Sequence, residues 1–78
     1  MYNLPNTVES WDHHHVKCFI TGLGFPDLAE YFLNYECKGI DLLLLTREDI
    51  INEFHLPFGR AIKLAGYIKR LHEVKTWI

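Results

Sequence analysis

The sequence predicts an all-α protein, a compact bundle of five helices in which two are very short and the C-terminal one is long. Three observations carry this expectation. Apolar residues recur at spacings of three and four, and strand-like alternation appears nowhere. Glycine and proline cut the chain at short intervals, at Gly22, Gly24, Pro26, Gly39, Pro57 and Gly59. The stretch Gly39–Ile50 reads as a short apolar turn, a cap and a new helix, because the four leucines Leu42–Leu45 cannot all face one way on a regular element.

Residues 1–9 have no period and contain Pro5; they read as an N-terminal arm docked through Tyr2 or Leu4, ahead of a domain over 10–78. Asp12 is a good N-cap for a first helix over 13–21, whose apolar face is Val16, Phe19, Ile20 and Leu23. Pro26 suits the first position of a second helix, with Asp27 in its first turn and Leu28, Tyr31, Phe32 and Tyr35 as its buried stripe. A one-turn helix near 41–44 follows the break at Lys38-Gly39. Thr46 and Asp49 form a capping box for a short helix over 47–53, on which Ile50 and Phe54 are i, i+4 partners. The last helix runs from Phe58 to about Lys75, roughly 27 Å at 1.5 Å per residue. Ala61, Leu64, Ala65, Ile68, Leu71 and His72 make its inner face, and Lys63, Tyr67, Arg70 and Val74 an opposite stripe. Gly66 in mid-helix costs about 1 kcal/mol relative to Ala, which a close helix approach would explain.

Seventy-eight residues allow one domain, and with 49% hydrophobic and 14% aromatic residues the chain can fill its core. Cys18 and Cys37 lie in apolar segments and read as buried reduced thiols, which favours a reducing compartment. There is no membrane-spanning run and no signal peptide, so the expected location is the cytoplasm, with the nucleus second. The net charge of −2 conceals an asymmetry. Residues 1–53 hold nine acids against three bases, a balance of −6, and residues 54–78 hold five bases against one acid, a balance of +4. Poles kept on different faces would let one copy offer what another attracts.

The residues give no support to catalysis, a cofactor or a metal. There is no Gly-rich phosphate loop, CxxC or HExxH, and five packed helices leave little room for a concave pocket. His13-His14-His15 are about 100° apart in succession on a helix, so they cannot converge on one ion.

In order along the chain, Trp11 and Val16, then Phe19-Ile20 with Leu23-Gly24-Phe25, then Phe32, match a known pattern. Gly39, Leu42-Leu43, Leu45-Thr46 and Glu48-Asp49-Ile50 continue it, and Phe54-His55-Leu56, Gly59 and Lys63-Leu64 complete it. Over about residues 10–72 this set resembles the sterile alpha motif (SAM) domain family. Lys38 stands where the family has Asp, His55 where it has Gly, and Arg60-Ala61 where it has His-Arg.

The resemblance implies a SAM-like fold and a non-enzymatic module for protein–protein interaction, of the kind used in scaffolding, signalling and oligomerisation. Its partner would be another SAM domain, the same or different, giving a homo-oligomer or an open filament. The implied surfaces are a basic end, Phe58, Arg60 and Lys63, and an acidic middle, Glu36, Asp41, Glu48 and Glu53. Phe58 reads equally as an anchor beside these charges and as a core residue closing the bundle. Some SAM domains bind RNA hairpins, and Lys63, Tyr67 and Arg70 with Lys69 and Lys75 would face such a ligand. The acidic first half and the pI near 6.2 disfavour nucleic acid. A salt-independent association would point instead to an apolar contact through Ile62, Trp77 or Ile78.

Overall fold

Helix starts and stops in this chain are set by its own side chains. The computed structural model describes residues 4, 5 and 7–74, with Val74 by its backbone alone. The expectations placed on Tyr2, Lys75, Trp77, Ile78 and the side chain of Val74 lie outside the described residues. A 3₁₀ turn, Val8–Ser10, precedes five α-helices: α1 (His13–Gly22), α2 (Pro26–Asn34), α3 (Gly39–Leu44), α4 (Arg47–Glu53) and α5 (Phe58–Val74). Among the described residues every regular element is helical, as the periodicity predicts.

Asp12 caps α1 by accepting from the amides of His14 and His15, and the imidazole Nδ1 of His15 accepts from the amide of Asp12. Thr46 and Asp49 make the reciprocal box at α4. At α3 only half a box forms: Asp41 accepts from the Lys38 amide, while a lysine side chain has no acceptor to return the bond. Helices α1 and α2 end alike. Phe25 N–H reaches Ile20 and Gly24 N–H reaches Thr21; Cys37 N–H reaches Phe32 and Glu36 N–H reaches Leu33. This pair of hydrogen bonds is the Schellman stop, which needs a left-handed residue. Gly24 supplies it at φ +94°, and Glu36 is held there at φ +52°.

Helices α1 and α2 pack along each other, α4 lies on α5, and α3 bridges α1, α5 and the 3₁₀ turn. The core joins Val16, Phe19 and Ile20 of α1 to Leu28, Ala29 and Phe32 of α2, Leu42, Ile50, and Ala61, Leu64, Ile68 and Leu71 of α5. It also contains Val8 and Trp11, so the core reaches into the segment read as an arm. Trp11 ties that segment down: its indole N–H donates to the Pro5 carbonyl, and its own carbonyl accepts from the Gly39 amide. Gly39 has no room for a side chain, because a Cβ there would strike the Val8 carbonyl oxygen.

Four expectations need correction. Tyr31 and Tyr35 are 41% and 72% exposed and do not belong to the buried stripe of α2. Tyr35 falls one residue past the end of the helix, and Tyr31 sits at the margin of the Leu28–Phe32 face. His72 is exposed, and among the described residues the last core side chain is Leu71. No close approach explains Gly66: a Cβ there would meet nothing within 4 Å. A concave feature does exist, a groove of about 590 Å³ between α4 and α5 over Ile50, Ile62, Ala65 and Gly66.

Candidate functional site

Phe58, Arg60 and Lys63 all lie within the first two turns of α5. Phe58 is 68% exposed, which removes it from the core and leaves an aromatic ring on the surface. Lys63 is exposed and forms no ion pair among the described residues. Arg60 is different. Its Nη2 donates to Asp27 Oδ1 at 3.3 Å, and its guanidinium lies 4.7 Å from the centre of the buried Phe25 ring. The Arg60 hydrogen bond holds the Asp27 carboxyl below the usual carboxylate range. The long Arg60 side chain thus bridges the first turn of α5 to the first turn of α2.

The four acids of the middle surface have separate origins. Glu36 is exposed in the turn that ends α2, and Asp41 is exposed but engaged as the cap of α3. Glu48 and Glu53 are exposed at opposite ends of α4. None of the four forms an ion pair among the described residues. Between Glu36 and Glu53 lies an aromatic ledge that sequence reasoning missed. The Tyr31 ring is 4.6 Å from that of Tyr35 and 5.2 Å from that of Phe54, edge-on to the latter. Tyrosine was the available signal, since its hydroxyl suits a half-wet position better than a core.

Other chemistry-bearing residues have local roles. His15 takes part in the α1 cap, and its ring sits 3.2 Å from Asp12. Half-burial, together with the charge of Asp41, pushes the Cys37 thiol up to about 11, so it is neutral at physiological pH. Lys63, Tyr67 and Arg70 are exposed along α5 and line one shallow depression.

A family model described as the SAM domain (Sterile alpha motif) matches residues 8–58, from the buried Val8 to the exposed Phe58. The chain belongs to the SAM domain family. The relatives it matches are longer proteins. It is 30% identical over 78 residues to sex comb on midleg-like protein 1 of Pan troglodytes, covering 96% of this chain and 24% of that protein. It is 32% identical over 63 residues to sterile alpha motif domain-containing protein 13 of Homo sapiens, covering 81% and 52%. It is 31% identical over 68 residues to the polyhomeotic-proximal chromatin protein of Drosophila melanogaster, covering 86% and 4%. The chain thus spans about half or less of each relative's length. Among solved structures, a chain in the crystal structure of the Scm-SAM and Sfmbt-SAM heterodimer shares the SAM fold. Its TM-score is 0.74 at 24% identity, over 85% of this chain and 94% of that one. Among the described residues no helix of this SAM domain is long and apolar enough to cross a membrane.

Proposed function

We propose that this SAM domain is a non-enzymatic interaction module that docks head to tail on other SAM domains, including further copies of itself. The observation that carries the reading is an exposed Phe58 and a Lys63 at one helix start, set against an acidic middle, with neither Lys63 nor the four acids in an ion pair among the described residues. Opposite charge draws the two surfaces together and sets register, and the aromatic ledge of Tyr31 and Tyr35 offers apolar area for Phe58 to cover. A contact between two different surfaces does not saturate in a dimer, so it propagates as an open filament unless its geometry closes a ring. The similar solved chain comes from a SAM heterodimer, which supports a SAM partner. One relative is named a chromatin protein, which favours the nucleus over the cytoplasm.

Sedimentation velocity tests the docking. Lys63→Glu and Glu53→Lys should each remain monomeric, while their mixture should form a dimer and stop there. Glu53 is the better acid to reverse, because Asp41 also caps α3. Association of the wild type should weaken with salt, since exposed charges are screened beyond about 8–10 Å at physiological strength. If the wild type associates and Lys63→Glu matches it, the basic end has no role in docking.

A further inference from the structure

One of the two cations at the basic end, Arg60, is already engaged. Arg60 donates to Asp27 across 33 residues of sequence, a contact between the first turns of α5 and α2. Both side chains stay open to solvent, Arg60 40% and Asp27 63% exposed, so the pair is built at the surface on which a partner would land. Phe25 supports the guanidinium independently of Asp27, through its ring face. Losing Asp27 would therefore leave Arg60 in place with donors facing outward. Exposed ion pairs are weak, so an incoming carboxylate can replace the internal one without disturbing the core.

Resting on the docking reading above, we infer that Asp27 is a built-in competitor for the partner's acidic surface. It takes the place of the partner's carboxylate on Arg60 in the free domain, and it repels the acids that approach. Lys63, which has no such partner among the described residues, makes the first electrostatic contact, and Arg60 joins after exchanging one carboxylate for another. The affinity of the end surface is thereby held below what its cations would give. A partner that brings a carboxylate to Arg60 is selected over one that brings only apolar area.

The test is sedimentation velocity on Asp27→Asn, Arg60→Gln and the double variant, with helical circular dichroism to verify folding. Asp27→Asn should lower the dissociation constant about three- to tenfold, the span expected when one opposing charge is removed and one cation released. Adding Arg60→Gln should abolish that gain. An unchanged or weaker association of Asp27→Asn overturns the inference. A gain of equal size in the Arg60→Gln background also overturns it, because the effect would then be simple loss of negative charge. The two readings fail separately. If Lys63→Glu stops association while Asp27→Asn changes nothing, docking stands and the competitor role falls. If Lys63→Glu associates like the wild type, the docking surface itself is misassigned and the competitor role falls with it.

Discussion

Glu36 holds a conformation that glycine adopts without strain. At φ +52° it is the left-handed residue of the Schellman stop that ends α2, a placement that costs an ordinary L-residue about 1–2 kcal/mol. His55, just past α4, is held at the same φ, which gives a physical reason for the glycine that the family places there. A strained acid kept at the surface is the kind of outlier that points to function. Glu36→Gly should therefore raise the unfolding free energy by about 1 kcal/mol in a urea titration while weakening association. If both quantities fall, the side chain has a structural role here. At this scale the caps were legible in the sequence, because Asp12 and Thr46 act on amides two or three residues away. The pairing of Arg60 with Asp27 was not, since nothing local in the sequence links the first turns of α2 and α5. The exposure of Phe58 was equally undecided, because the first turn of a helix can face either way.

Among the elements, α5 has the clearest weak point. Gly66 interrupts a helix of 17 residues without a packing reason, since a Cβ there would meet nothing within 4 Å. Gly66→Ala should stabilise the domain by about 1 kcal/mol, read as a higher thermal midpoint. A drop would reveal a contact at this position that the free domain does not show. All five helices were readable from period and punctuation, and the starts of α1, α2, α4 and α5 and the ends of α1, α3 and α4 fall on or close to the predicted ones. What failed was the extrapolation of a face beyond the last packed turn. Tyr35 continues the spacing of α2 past the end of the helix, and His72 that of α5 past Leu71, whereas Tyr31 lies at the margin of the packed face. Helical spacing names the direction of a side chain; it does not say where the neighbouring helix stops.

For the molecule as a whole, the decisive joint is the seat of the N-terminal segment on α3. The Val8 carbonyl lies where a Gly39 side chain would be, and Trp11 Cβ would be only 2.9 Å from it. Gly39→Ala should cost about 1–3 kcal/mol by overpacking, read as a lower midpoint in denaturant. Unchanged stability would mean that the turn moves aside at little cost. Nothing local in the sequence marks this joint, because it depends on a long-range contact between a turn and a helix start. By period alone Val8 reads as part of an arm, and in the structure it is fully buried. The same joint has an optical consequence. The Trp11 indole is 1% exposed and bonded to Pro5, so the segment before it cannot lift away without wetting the ring. The emission colour of this indole, in a chain whose Trp77 has been replaced, is thus a gauge of whether Pro5 and Val8 are seated.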